Sequence, residues 1–336
     1  MFKLKQLGVA AAVALFAGAA MASNFRAADQ VYVPAAGHIS SASATFISDV
    51  FISNLSDSSV DVSVIFASGS NGAQTTFPKI LTLAPRERRE LLDFMGNTLH
   101  LSNNLGQLIF NACLSGADCT PDPNTGLNQN FRNISVESRI FSVALGANPL
   151  TAPTNGQLFS GIPWYNFVST TALGAGLDKC FITGVRNTAQ FRTNIGFVNA
   201  SQFSTTTITA TLINGATGAQ IAQASFTLGP LGNIQQNVGN VFPAFAQGPT
   251  STNAFITFQQ SGTTPTADGP ANNCSDGCPA FFAYGSTVDN QTQDATTLEP
   301  QYFIPLTNNQ ITCIYSPDVA NCKSGATIHR AVKHQF

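Results

Sequence analysis

Phe191-Arg192-Thr193-Asn194-Ile195-Gly196-Phe197-Val198-Asn199 has an earlier copy in the same chain, Phe46-Ile47-Ser48-Asp49-Val50-Phe51-Ile52-Ser53-Asn54. Both stretches open on Phe, carry Asp or Asn at the fourth place and close on Asn. The offset of about 145 residues is far longer than the period of a solenoid. A second block keeps the same register: Phe226-Thr227-Leu228-Gly229-Pro230 answers Leu81-Thr82-Leu83-Ala84-Pro85. Two blocks at one offset identify a tandem duplication rather than a chance motif.

Working outward, the residues after each copy read as strands broken by turns. Leu55-Ser56-Asp57-Ser58 is a turn cluster, and Val60-Asp61-Val62-Ser63-Val64 then alternates apolar with polar. That period of two predicts a half-buried antiparallel strand, so the two runs form a hairpin. In the second copy Ile208, Ala210 and Leu212 point inward, and Thr207, Thr209 and Thr211 outward. Further strands are expected at Val31–Pro34, Ile80–Leu83, Gly106–Phe110, Ile134–Ile140, Ala254–Phe258 and Phe281–Tyr284. Arg86–Leu99 carries Leu91, Leu92, Met95 and Leu99 at three- and four-residue spacing, which predicts a helical turn or an irregular connection.

Six or seven short strands per copy, with turn signals every 8–12 residues, predict an all-β protein of two tandem immunoglobulin-like β-sandwich domains. The expected boundaries are a signal peptide over 1–22, a first sandwich over 23–150 and a Pro/Gly-rich aromatic linker over 151–175. A second sandwich over 176–302 and a disulfide-containing tail over 303–336 complete the chain. An up-and-down barrel is the alternative.

Charged residues make up only 10% of the chain, and the formal net charge is −2. No basic face is present to neutralise phosphates, so nucleic acid is not an expected partner. Lys3 and Lys5, the apolar run Leu7–Ala20 and the small-x-small site Ala20-Met21-Ala22 read as a cleaved secretory signal. Cleavage near Ser23 leaves a mature net charge of roughly −4 and no membrane-spanning segment. The expected location is secreted, extracellular or cell-surface, with the periplasm as the other extracytoplasmic compartment.

Of seven cysteines, six fall into close pairs: Cys113 with Cys119, Cys274 with Cys278, and Cys313 with Cys322. In an exported chain such pairs read as local disulfides. Neither C-x-x-C knuckles nor His partners at ligand spacing are present, so no metal or other cofactor is expected. Cys180, followed by Phe181 and Ile182, reads as a small buried apolar residue.

The runs Tyr32-Val33-Pro34-Ala35-Ala36-Gly37, Phe46 to Asn54, Gly161-Ile162-Pro163, Phe191 to Asn199 and Tyr284-Gly285-Ser286-Thr287-Val288-Asp289-Asn290 carry a family likeness. The chain resembles exported bacterial proteins with tandem immunoglobulin-like repeats, which are mostly uncharacterised. The resemblance covers the mature chain to about Pro300 and implies a fold and a compartment, with no catalytic residues to transfer. Ile47-Ser48 in the first copy, the loop cysteines and the tail after Tyr302 depart from the family pattern.

Serine-hydrolase chemistry is not signalled, because G-x-S-x-G is absent and His38, His100, His329 and His334 sit in no catalytic context. Asp289, Asn290 and Asp294 come nearest to a calcium loop, but lack its ligand order and read as turn caps. Asp49 and Asn194 read as backbone-shaping residues. Trp164 and Tyr165 are the candidate ligand platform, set against a wedge between the domains. The leading expectation is therefore not an enzyme. It is a structural or binding protein that presents loops to an unknown macromolecular partner at the cell surface or matrix. The alternatives are a carbohydrate-binding module, or an enzyme or protease inhibitor whose site lies in the cysteine-bearing loops.

Overall fold

The computed structural model describes residues 27–120, 128–167, 179–202, 204–245, 247–248, 251–265 and 280–302. Nearly all of the regular structure is strand. The first half contains β1 (Gln30–Ser40), β2 (Ala44–Asn54), β3 (Val60–Ser68), β4 (Ala73–Leu83), β5 (Arg88–Leu91), β6 (Asn104–Leu114), β7 (Ile134–Ala144), β8 (Asn155–Ser160) and β9 (Ile162–Pro163). The second half contains β10 (Lys179–Val185), β11 (Phe191–Asn199), β12 (Ser204–Asn214), β13 (Gln220–Leu228), β14 (Asn233–Asn237), β15 (Ala254–Pro265), β16 (Phe281–Asp289), β17 (Ala295–Leu298) and β18 (Gln301–Tyr302).

Every ladder between these strands is antiparallel, and the two halves use one plan. In the second half β13-β12-β15-β10-β18 form a five-stranded sheet and β14-β11-β16-β17 a four-stranded one. The first half repeats both orders, as β4-β3-β6-β1-β9 and β5-β2-β7-β8. There the two join into one nine-stranded sheet, because β1 and β2 also pair from His38↔Ile47 to Ser40↔Thr45. The ladder is interrupted at the same place in both halves, between Val33 and Ala36 in β1 and between Ile182 and Val185 in β10. Ile182, Ile208, Leu212 and Phe258 of the five-stranded sheet share one buried cluster with Ile195, Phe197, Phe281 and Ala283 of the four-stranded one. Two sheets that bury their inner faces in a single cluster make a sandwich-like layer pair.

One expectation is corrected. Residues 155–163, read as linker from composition, supply β8 and β9, which pair with β7 and β1. Gly156 and Gly161 mislead a compositional reading, since they answer close packing rather than loop freedom. A Cβ on Gly156 would lie 2.6 Å from the Ile140 carbonyl, and one on Gly161 2.5 Å from that of Val136. The segment Arg86–Leu99 holds the short strand β5 and a five-residue π-helical turn, Phe94–Thr98.

β3 is also more buried than its alternation predicts. Ser63, Ile65 and Ala67, on the face away from the first half's own core, are buried along with Gln107 and Ile109 of β6. The second half lies over this face. The Tyr32 hydroxyl donates to the Ala200 carbonyl (3.5 Å), Gln107 Nε2 to the Leu231 carbonyl (2.8 Å) and Asn233 Nδ2 to the Ala67 carbonyl (2.9 Å). Phe167 is wedged between the Tyr32 ring (4.5 Å) and the Phe282 ring (5.9 Å). Val198, Ala200, Leu231, Phe282 and Tyr284 consequently belong to the same buried cluster as the first half's core.

The equivalent face of the second half is less buried, and its residues differ accordingly. The cross-strand row Tyr32–Ile109–Ile65 is covered. Its counterpart Phe181–Thr257–Thr211 continues to Gln223 and is partly solvent-exposed. Threonine stands where the covered half has isoleucine. A hydroxyl keeps the β-branched shape that suits a strand and tolerates water.

Candidate functional site

A cleft of about 620 Å³ opens where the two halves meet. One wall is the β1–β2 hairpin tip, with Ile39, Ser43 and Phe46. Another is β7 and β8, with Phe141, Asn155 and Gln157. The far wall comes from the second half, with Arg192, Asn194, Gln235 and Ser286. The hairpin reaches this cleft because it is the longer of the two copies. Ten positions separate Ala36 from Phe46, and six separate the equivalent Val185 from Phe191.

The cleft's chemistry is neutral and amide-rich, with one cation. Among the described residues its lining holds amides, hydroxyls, apolar side chains and Arg192, and no Asp, Glu, His or Cys. Arg192 donates from Nη1 to Asn290 Oδ1 (2.6 Å) and from Nη2 to Gln293 Oε1 (3.1 Å). No carboxylate among the described residues lies within ion-pair distance of it. The buried Ser286 hydroxyl donates to Gln157 Oε1 (2.6 Å), tying β16 to β8 across the junction. Phe141 is fixed by the Arg139 guanidinium, 4.5 Å from its ring centre.

The signature stretch therefore has two faces with different work. Ile195, Phe197, Val50 and Ile52 are core. Phe46, Arg192 and Asn194 reach the cleft. Asn194, read from the sequence as a backbone-shaping residue, makes no side-chain hydrogen bond within the described chain and faces the cleft instead. Its counterpart Asp49 does shape backbone, because its Oδ1 accepts the Asp93 amide N–H (2.9 Å).

That amide belongs to a second polar cluster. His38 Nδ1 lies 2.8 and 3.0 Å from the two carboxylate oxygens of Asp93. Asp93 occupies the left-handed region (φ 45°) and caps the π-turn by accepting the Gly96 N–H. A His–Asp pair can serve acid–base catalysis, but the second half shows its structural origin. There Asn237 caps a helical turn by accepting the Gly239 N–H, and Asn187 takes the place of His38. A Cβ on Gly96 would lie 2.6 Å from His38 Nδ1, and one on Gly239 would lie 2.7 Å from Asn187 Nδ2. Both halves thus seat a polar ring or amide against a capped turn, which makes His38 part of the scaffold.

Burial raises the Asp49 pKa above the ordinary carboxylate value, opposed by the Asp93 N–H and by the charge of Arg139. A carboxyl raised in this way adds stability below its unfolded pKa, and that contribution is lost as pH rises through the folded value. Asp49→Asn, which installs the second half's residue, keeps an oxygen for the Asp93 N–H. The stability of the variant relative to wild type is therefore expected to increase as pH rises from about 4 to 7. Urea midpoints across that range check this; a difference independent of pH would contradict it.

The other sequence-derived residues fall as follows. Cys113 and Cys119 form a disulfide with Cα atoms 6.2 Å apart, bracing the loop after β6. Cys274, Cys278, Cys313, Cys322, His329 and His334 lie outside the described residues. Cys180 is fully buried, and burial pushes its thiol pKa well up, so it is an inert packing residue. Trp164 is 3% exposed and its Nε1 donates to Asp29 Oδ1 (2.8 Å), so its ring faces are not a stacking surface. Tyr165 sits in a single 3-10 turn, Trp164–Asn166. Asp289 Oδ1 accepts the Gln291 and Thr292 N–H groups (2.7 and 3.1 Å), the turn-cap role expected of it. No group of three or more His, Cys, Asp and Glu that could hold a metal occurs among the described residues.

Comparison with protein families and with curated proteins found no match. Among solved structures, β-glucuronidase 2 of Bacteroides uniformis, covalently bound to cyclophellitol-6-carboxylate aziridine, aligns at 10% identity and a TM-score of 0.14. The alignment covers 77% of this chain and 26% of that one, so the chain spans about a quarter of the enzyme's length. The CupB6 tip adhesin from Pseudomonas aeruginosa aligns at 10% identity over 84% of this chain and 100% of that one, with a TM-score of 0.12. Likenesses at these scores carry no argument. The class defined by the geometry is an all-β protein of antiparallel, sandwich-like sheets with a loop disulfide. No helix among the described residues is long and apolar enough to cross a membrane.

Proposed function

We propose that this chain is an exported, non-enzymatic binding protein of the cell surface or extracellular matrix. In this reading it is built from two tandem immunoglobulin-like sandwiches and grips its partner in the cleft between them. Strand order supports the fold reading. With β1, β2, β3, β6, β7 and β8 taken as strands B to G, the first half has B–E–D in one sheet and C–F–G in the other, the arrangement of that fold. β9 then stands beside B, where strand A stands in the immunoglobulin order. The signal-like N-terminus and the Cys113–Cys119 disulfide support export.

The observation that carries the binding reading is the cleft's lining. Concave sites of roughly 300–1,000 Å³, with apolar walls and a few convergent polar groups, are where proteins take ligands. General acid–base and metal chemistry most often draw on carboxylates, imidazoles or thiols, and the described residues of this lining include none. Hydrogen-bonding amides and a guanidinium with no described carboxylate at ion-pair distance suit recognition.

The test combines export with capture. Protein from the producing cell is expected outside the cytoplasm with an N-terminus near Ser23. Its purified mature form should be retained by that cell's envelope or matrix polymer. Ser43→Trp, at the exposed hairpin tip lining the cleft, should abolish retention without changing the fold. Uncleaved cytoplasmic protein, or retention unaffected by Ser43→Trp, would overturn the proposal.

A further inference from the structure

The cleft also specifies the kind of molecule it takes. Arg192 stands in its wall with two of five guanidinium N–H donors committed to neutral amide oxygens and with no described carboxylate within ion-pair distance. The side-chain amides of Asn155, Asn194 and Gln235 line the same space and make no hydrogen bond within the described chain. Gln157 gives its oxygen to Ser286 and has no partner within the described chain for its NH₂ donors. Between these groups stand the apolar surfaces of Ile39, Phe46 and Phe141.

From this constellation we infer that the cleft binds an acidic oligosaccharide, with a carboxylate on Arg192, ring hydroxyls on the amides and a sugar C–H face on the exposed Phe46 ring. Each part of the match has a physical reason. A planar guanidinium recognises a carboxylate through paired N–H donors and is weakly hydrated, so it gains in a part-enclosed site. Amides both donate and accept, as hydroxyls do, so an amide-lined wall pairs with a polyol without leaving either side unmatched. An acidic peptide would satisfy Arg192 equally and can pair its backbone with amides, but it presents those groups along one extended line, whereas Asn155 and Gln157 stand on one wall and Asn194 and Gln235 on another, as suits the hydroxyls around a sugar ring. Arg192 is the one cation among the described lining residues, so one carboxylate per bound segment is the expected stoichiometry of charge.

This inference rests on the binding reading above, and the experiment separates the two. Titration calorimetry of the full mature chain would use oligogalacturonate, a neutral malto-oligosaccharide and poly-glutamate as probes, against wild type, Arg192→Met, Arg192→Lys and Ser43→Trp. The expected result is binding of oligogalacturonate that weakens with salt, falls about tenfold or more in Arg192→Met and less in Arg192→Lys, and is lost in Ser43→Trp. Binding of the neutral sugar, blocked by Ser43→Trp and indifferent to Arg192→Met, would overturn the acidic class and leave the cleft reading standing. Equal binding of poly-glutamate would overturn the saccharide. Binding of any probe that ignores Ser43→Trp would sink both inferences. Circular dichroism on each variant identifies one that has misfolded, and Ser43→Trp, exposed in a turn, serves if Arg192→Met does.

Discussion

Asn199→Leu is expected to cost about 3 kcal/mol or more of folding stability, and Asn54→Leu to cost a similar amount. Both asparagines close the repeated stretch and both are buried. Asn199 Nδ2 donates to the carbonyls of Ser204 (2.8 Å), Leu228 (3.3 Å) and Gly229 (2.8 Å), while its Oδ1 accepts the Ser201 N–H (2.9 Å). Asn54 repeats the set with Ser58 (2.8 Å), Leu83 (3.5 Å) and Ala84 (2.8 Å), and with the Ser56 N–H (2.9 Å). Each side chain therefore fastens the end of one strand to the following turn and to the far end of another hairpin. Leucine removes four bonds at once, taking a donor from each of three carbonyls and the acceptor from the Ser201 or Ser56 N–H, in a site closed to water.

A companion variant discriminates the hydrogen-bonding account from simple loss of fit. Asn199→Asp has the right shape, yet at neutral pH it turns a carboxylate oxygen toward carbonyl oxygens. It should be at least as damaging as leucine near pH 7 and recover part of the loss as pH falls and the carboxyl gains a proton. Guanidinium unfolding at two pH values gives the comparison. A variant as stable as wild type, or one with no recovery in acid, would contradict the role assigned here.

Gly72→Ala should be the second large effect, about 2 kcal/mol or more, and it should act on the junction between the halves. Gly72 has φ of +63°, and a Cβ there would lie 2.0 Å from the Pro230 carbonyl oxygen. The loops it separates are joined by the Gly229 N–H to the Ser70 carbonyl (2.8 Å) and by the Asn233 N–H to the Gly69 carbonyl (2.9 Å). Making room for a methyl pushes these bonds apart. Gly69→Ala is the internal control, because its φ is +71° but nothing lies within 4 Å of a Cβ. It should show only the left-handed backbone penalty, about 1–2 kcal/mol. The difference between the two alanines reports the junction. Limited proteolysis should cut Gly72→Ala between the halves sooner than it cuts Gly69→Ala. Equal stability and equal cleavage would refute the contact.

Much of the all-β plan was legible in the sequence because duplication and alternation are one-dimensional signals. The offset between Phe46–Asn54 and Phe191–Asn199 aligns β2 with β11, and the Leu81–Pro85 block aligns β4 with β13. Short strands in Gly-, Pro- or charge-rich surroundings were not legible. β5, β8 and β9 carry too few residues for a period to show, and their identity comes from partners far along the chain. The site was the least readable part. Asn194 looked like its counterpart Asp49, and only the position of the second half distinguishes an amide facing a cleft from a carboxylate tied to a turn. Trp164 drew attention as a rare aromatic, yet its indole is spent on packing and on Asp29. A signal for the cleft did exist in the longer spacing of the first copy between Ala36 and Phe46.

By itself the sequence determined the duplication, the antiparallel strand character and the core positions, because side-chain period and turn chemistry act over a few residues. It also carried the proximity that pairs Cys113 with Cys119. Only the tertiary structure decided which sheet face is covered, that Tyr32, Ile65 and Ile109 are buried where the second half lies over them while Phe181, Thr211 and Thr257 are only partly buried, and that a cleft forms around Arg192. The physical reason is that burial of an outer sheet face depends on the docking of two halves through a few long-range contacts. An isoleucine on a strand reads the same in sequence whether its neighbour is its own core or another sheet.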